Sequence, residues 1–252
     1  MNAIGVYGLG RFGAFWAEQL AAHVPVKGYN RSAGRCVSDA IQLVSEDELL
    51  ACDTIVLCVA ISSLSDVLSS IASRLKVGTL VMDTCSVKVY PSQMMQKLLP
   101  ETVDLIATHP MFGPDSGQHG IDGLPLVFSP VRCSTERTAQ VRTLFESMRL
   151  RVIDMSCDQH DREAAYSQGI THFIGRVLNE LHLNPTQIAT VGYQQLMSLV
   201  EQTCNDPLQL FYDLQRYNPY THDMRMNLNQ ALDTVLHVLE THDRFPVEFP
   251  QR

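Results

Sequence analysis

The segment Gly8-Leu-Gly-Arg-Phe-Gly13 constrains this chain more than any other part of it. It directly follows an apolar run, Ala3 to Tyr7, and opens a stretch with helical periodicity. G-x-G-x-x-G is a weak signal by itself, but between a strand and a helix it is specific for a turn that carries a dinucleotide. Gly8 permits the tight turn, Gly10 lets the backbone approach a pyrophosphate, and Gly13 lets the helix lie close to the sheet. The helix N-terminus adds free N–H groups and partial positive charge for phosphate oxygens. Leu9, Arg11 and Phe12, between the glycines, are expected beside the cofactor.

Further apolar runs follow at Val26–Tyr29, Asp53–Ala60, Thr79–Asp83, Asp104–His109, Leu124–Ser129 and Arg151–Met155. Their hydrophobicity is continuous rather than alternating, as in strands covered on both faces. Between them lie helical periods. In Ser63–Leu75, the residues Leu64, Val67, Leu68, Ile71 and Leu75 form one stripe, and Ser134–Met148 is a second helix. This alternation predicts a doubly wound parallel sheet. After Met155 no convincing strand appears. Ile170 to Leu181, Val191–Thr203, Leu208–Tyr217 and Thr221–His242 read as helices, punctuated by Asn184-Pro185, Asp206-Pro207 and Asn218-Pro219. The expected architecture is α/β: a Rossmann-like dinucleotide-binding domain over 1–155, then an all-α domain over 156–252.

Composition narrows the function classes. Charged residues make up 18% of the 252, below the ~25% usual in soluble proteins, and 45% are hydrophobic, so a packed core rather than disorder is expected. The formal net charge of −8 provides no basic field for nucleic acid. The seven cysteines contain no C-x-x-C pair, and H-E-x-x-H is missing, so no metal site is expected. Reduced thiols in a cytosolic protein are the simplest reading. No run of 18 apolar residues occurs and no basic n-region or transit-like stretch opens the chain, so neither a membrane span nor a targeting segment is expected.

The end of the second strand bears on the choice of cofactor. NAD sites place an acid there for the ribose 2′-hydroxyl. This chain has Tyr29-Asn-Arg-Ser32, with no acid. The Arg31 guanidinium suits a 2′-phosphate, with Asn30 and Ser32 as neighbouring polar groups and Arg35 as a further candidate. NADP is expected over NAD.

Two segments fall at the carboxyl ends of predicted strands, where open α/β sheets bind ligands: Asp83-Thr-Cys-Ser-Val-Lys88 and Thr108-His-Pro-Met-Phe-Gly-Pro-Asp-Ser-Gly117. His109 is a candidate proton acceptor. Ser86 has a hydroxyl able to donate to an acceptor or to orient His109, and Lys88 a charge able to meet a carboxylate. In the helical half, Ala165, Gly169, His172 and Arg176 share a stripe whose small members admit either a ligand or another helix.

Together these segments resemble the prephenate/arogenate dehydrogenase family. The likeness is carried by Asp83–Lys88, Ala107-Thr-His-Pro-Met-Phe-Gly-Pro114 and Ser167-Gln-Gly-Ile-Thr-His-Phe-Ile-Gly-Arg-Val-Leu178. Leu199–Cys204 and Tyr217-Asn-Pro219 look like the plant arogenate branch. The resemblance implies oxidative decarboxylation of a cyclohexadienol acid with a nicotinamide cofactor, and a homodimer built through the helical domain. Carried over by position, it makes His109, Ser86 and His172 the catalytic group. Lys88, Gly113 and Arg176 are expected at the substrate, with Arg216 and Arg225 as other candidates for its carboxylate. Asp115 and Asp122 are candidates for the amine that distinguishes arogenate from prephenate. Two other classes fit the glycine turn alone: a β-hydroxyacid-type NADP dehydrogenase and a non-catalytic NADP-sensing module. The first lacks its expected lysine here, and the second has no need of Ser86, His109 and His172 together.

Overall fold

A strand such as Thr54-Ile-Val-Leu57 is buried at every position and needs cover on both faces. The computed structural model, which describes residues 3–32 and 38–242, supplies that cover. The strands are β1 (Ile4–Tyr7), β2 (Val26–Tyr29), β3 (Ile41–Leu43), β4 (Thr54–Leu57), β5 (Leu80–Asp83), β6 (Asp104–Pro110), β7 (Pro125–Arg132) and β8 (Arg151–Asp154). They form one sheet in the order β3-β2-β1-β4-β5-β6-β7-β8. Alternate residues feed two cores. Ile4, Val6, Val56, Leu80, Met82 and Ile106 pack on one face with Trp16 and Leu20 of α1 (Arg11–Ala21) and Phe145 of α5 (Thr135–Ser147). Ile55, Leu57, Val81 and Leu105 pack on the other with Leu64, Leu68 and Ile71 of α3 (Leu64–Ile71) and Met95 of α4 (Val89–Leu98).

The sheet departs from the expected parallel pattern at one place. β7 runs antiparallel to β6, and β8 lies parallel to β7. Residues 111–124 between β6 and β7 contain only turns and loop, so they provide no helical crossover to carry the chain back to the starting edge. The chain therefore returns from the edge at which it left. Four elements had no strong sequence signal: β3, α2 (Glu46–Leu50), α4 and α6 (Cys157–Ala164).

From Cys157 on, every regular element among the described residues is helical. α6 runs through a π-helical turn, Ala165–Gly169, into α7 (Ile170–Glu180), followed by α8 (Val191–Asn205), α9 (Leu208–Tyr217) and α10 (Thr221–His242). The small-residue stripe admits another helix: a Cβ on Gly169 would sit 3.3 Å from Thr221 Cγ2, at the start of α10. This helical region docks on the sheet through polar, aromatic and apolar contacts, with Leu214 buried in the second core. Asp213 accepts from the Ser62 amide and hydroxyl at 3.0 and 2.9 Å, and Tyr90 packs on Tyr217 with ring centroids 4.5 Å apart.

Candidate active site

β1, β4, β5 and β6 are mutually parallel, so their carboxyl ends share one edge of the sheet. A cleft of about 430 Å³ opens there between the glycine turn and the helical region. Its walls come from both halves of the chain: Gly10 to Gly13, Ser86, His109 and Gly113 from the sheet side, and Gln168, His172 and Asp206 from the helices.

The glycine turn has the shape that a pyrophosphate requires. Gly8 has φ +96°, and a Cβ there would lie 2.5 Å from Cys58 O. A Cβ on Gly13 would lie 1.9 Å from Gly8 O, so only glycine lets α1 start this close to β1. Gly10, by contrast, would meet nothing within 4 Å. Open space lies over it, next to the N-terminus of α1, which no side chain caps. The first-turn N–H groups of a helix lack intrahelical partners and favour anions. An uncapped helix start facing open space in a cleft therefore fits a dinucleotide's phosphates. Leu9 differs from expectation. Its side chain is 1% exposed in the core and its N–H is bonded to Asn30 Oδ1 at 3.1 Å, so it braces the turn and offers no donor to a ligand. Asn30 also donates to Ser32 O at 2.8 Å. Arg31 and Ser32 are exposed beyond it, while Arg35 lies outside the described residues.

Arg11 does more than line the turn. Its guanidinium pairs with Asp115 of the β6–β7 loop and, at 3.2 Å, with Asp206 after α8. It thus ties the start of α1 to both walls of the cleft.

Lys88 corrects another expectation. It is fully buried, pairs with Asp83 and donates to Thr108 O at 2.6 Å, so it does not reach the cleft. Its ammonium joins the ends of β5 and β6, the strands that carry Ser86 and His109. Arg176 is also committed inside the protein. It donates to the carbonyls of Thr203 and Asp206 at 3.1 and 2.9 Å and lies over the Phe211 ring, fixing the end of α8. Arg225 bonds to Gln215, and neither it nor Arg216 lines the cleft. Asp122 pairs with Arg149 at the surface. Asp206, which the sequence reading passed over, is the acid beside His172.

His109, Ser86 and His172 all line the cleft. His109 is 4% exposed, and burial holds its pKa well below the usual histidine value, with His160 and Lys88 pushing the same way. It is neutral at pH 7. Its Nδ1 lies 2.8 Å from His160 Nε2, and His160 Nδ1 lies 2.7 Å from Asp161 Oδ1. Ser86 therefore does not orient His109 as expected: its Oγ is buried and has no protein partner. His172 Nδ1 is likewise buried without a partner. Its Nε2 is 3.9 Å from Asp206, too far for a hydrogen bond, and burial outweighs that carboxylate's pull, lowering the His172 pKa. Burial also raises the pKa of Asp206. Orphaned polar atoms lining one cleft are what a bound polar ligand would satisfy. Sequence reasoning missed His160 and Asp161: they sit in a short polar helix, and nothing local marks them.

Comparison with known proteins identifies the family. The model of the prephenate dehydrogenase nucleotide-binding domain matches residues 18–154. The chain belongs to the prephenate dehydrogenase family. A second model, TYRAAT1-like, C-terminal domain, matches residues 177–248. Arogenate dehydrogenase 2, chloroplastic, of Arabidopsis thaliana is 37% identical over 92% of this chain and 68% of its own length. Arogenate dehydrogenase 1, chloroplastic, of the same plant is 36% identical over 92% of this chain but only 38% of its own length. The crystal structure of prephenate dehydrogenase from A. aeolicus with hydroxyphenyl propionate and NAD+ shares the fold of this family member, with a TM-score of 0.73 at 15% identity, over 96% of this chain and 93% of that one.

Proposed function

We propose that the protein oxidatively decarboxylates arogenate or prephenate, giving tyrosine or 4-hydroxyphenylpyruvate, with NADP+ as hydride acceptor. The observation that carries this reading is His109: a neutral imidazole at the end of β6, facing a cleft that begins at an uncapped helix start. Gly10, Arg11, Phe12 and Gly13 would hold the pyrophosphate, and Arg31 with Ser32 the 2′-phosphate. The NAD+ in the A. aeolicus structure keeps that cofactor as the alternative to be tested. A bound nicotinamide would supply the hydride acceptor for the hydroxyl-bearing ring carbon.

The chain's own residues manage the proton and the charges. His109 takes the proton of the ring hydroxyl as the carbonyl forms. Ser86 Oγ and His172 Nδ1, both without protein partners, are donors or acceptors for the substrate's polar groups. Gly113 contributes loop backbone to the cleft wall. Burial of the site strengthens each of these interactions. As CO2 leaves, the electron pair of its C–C bond flows through the ring to the new carbonyl oxygen, which takes the proton back from His109, and the ring becomes aromatic.

Arogenate is favoured over prephenate by Asp206. This carboxylate lines the cleft, is disfavoured as an anion by burial, and gains from a substrate ammonium. The assembly is proposed as a homodimer through α10, where Leu232, Val235, Leu236 and Leu239 are all about half exposed or more. A reducing compartment such as the cytosol suits the six described cysteines, none of which is paired, and no described helix is long and apolar enough to cross a membrane. Steady-state assay of arogenate and prephenate, each with NADP+ and NAD+, tests the function. Turnover of neither substrate would refute it.

A further inference from the structure

We propose that His160 and Asp161 are positioning residues that set the tautomer of His109, keeping its lone pair on Nε2 toward the cleft. The inference rests on the function proposed above, in which His109 is the base. Asp161 accepts from the backbone N–H groups of Lys88 and Val89 at 2.6 and 2.9 Å. Both oxygens are thus held as acceptors, and the proton in the 2.7 Å contact with His160 belongs to His160 Nδ1. With that one ring proton on Nδ1, His160 presents the lone pair of Nε2 to His109. The proton in the 2.8 Å contact with His109 must therefore sit on His109 Nδ1. His109 Nε2, the nitrogen with no protein partner, is left bare to receive the hydroxyl proton. One O–H bond breaks, one N–H bond forms, and no proton needs to move beyond Nε2. The Nδ1–H···Nε2 bond to His160 then steadies the resulting imidazolium, as an orienting group does in other base-and-orienter pairs.

The arrangement also joins the two halves of the chain. His109 and the Lys88–Val89 amides belong to the sheet side, whereas His160 and Asp161 lie in α6. Asp161 is further tied to the helices by Asn218 Nδ2, which donates to its carbonyl at 2.8 Å. The base acquires its tautomer only when α6 is docked.

The test pairs His160→Phe with His160→Gln in the full-length protein. Phenylalanine fills the space but accepts nothing, leaving His109 Nδ1–H buried and unpaired and favouring the Nε2–H form. Glutamine places an acceptor near the position of Nε2. The Phe variant should lose about 10–100-fold in kcat, the equivalent of one buried acceptor, with KM values little changed. The Gln variant should recover most of that loss. Independently, ¹⁵N NMR of histidine-labelled protein, with His109 assigned by its disappearance in His109→Asn, should show pyridine-type Nε2 in the wild type and lose that signature in His160→Phe. Wild-type His109 protonated on Nε2 would overturn the proposal, even if the Phe variant fails to fold. Unaltered kcat together with an unaltered tautomer in the Phe variant would also overturn it. If the wild type turns over neither substrate, the functional reading fails, while the NMR result still decides the tautomer.

Discussion

Alanine at Gly10 and alanine at Gly13 should have opposite consequences, although the two glycines are three positions apart in one turn. At Gly10 the backbone has φ −64° and ψ −170°, which alanine adopts freely, and a Cβ meets nothing within 4 Å. Two small effects then compete in the ligand-free protein. Restricting the unfolded chain stabilises by about 0.4–1 kcal/mol. Replacing glycine at an N-cap by alanine costs a similar amount. Gly10→Ala should therefore leave stability within about 1 kcal/mol of wild type, or roughly 2–4 °C in Tm for a chain of this size. The methyl group would nevertheless occupy the open space over the helix start. Displacing a phosphate from one N–H donor forfeits a charge-assisted hydrogen bond of about 1.5–3 kcal/mol, so NADP+ affinity should fall about 10–100-fold. At Gly13 the same methyl would sit 1.9 Å from Gly8 O and 2.9 Å from Cys58 Cβ. Backbone must move, which costs about 1–3 kcal/mol or more before any ligand is present. Thermal unfolding with and without NADP+, together with calorimetric titration, separates the two. A Gly10→Ala protein that binds NADP+ like wild type would refute a pyrophosphate over this turn, and one that is destabilised without ligand would refute the open space at Gly10.

Four other outcomes follow from the site. His109→Asn should lower kcat by about 10²–10⁴-fold while NADP+ titration stays near wild type, and undiminished turnover would remove His109 from the chemistry. Because burial, His160 and Lys88 all lower the His109 pKa, the base stays neutral as pH falls through 6.5. The acid limb of kcat/KM should therefore lie below pH 6.5, and an acid limb centred at or above it contradicts the burial argument. Arg31→Ala should weaken NADP+ and spare NAD+, and equal loss of both would exclude a 2′-phosphate contact. Asp206→Asn should reduce kcat/KM for arogenate about 10–100-fold relative to prephenate, the worth of a charged hydrogen bond, and an unchanged ratio would rule out the ammonium contact.

Much of the fold was readable because its signals are local. β1, β4 and β5 are short runs of buried residues, and their burial on both faces follows from continuous hydrophobicity. What escaped notice depends on distant partners. β3 is a three-residue edge strand with one buried residue, stabilised by pairing to β2. α2 is five residues long and begins with the capping box of Ser45 and Glu48, a signal present in the sequence but too short to stand out. The reversal at β7 leaves no mark in hydrophobicity, which is the same for either strand direction. Residue types in the cleft were likewise easier to find than their partners. Ser86, His109 and His172 stand in distinctive motifs, whereas the burial of Lys88 against Asp83 and the contact of His160 with His109 exist only after the chain has closed on itself.

The antiparallel turn from β6 to β7 also shapes how this cleft can vary. Residues 111–124 leave and rejoin the sheet at its ligand edge, anchored by Phe112 against Trp16, whose ring centroids are 5.9 Å apart. Since no crossover is threaded through this stretch, residues inserted or deleted beyond the anchor alter the rim while the strands keep their register. Divergence in the size of acid accepted should accumulate there, on the outer rim, and leave the proton-handling floor untouched.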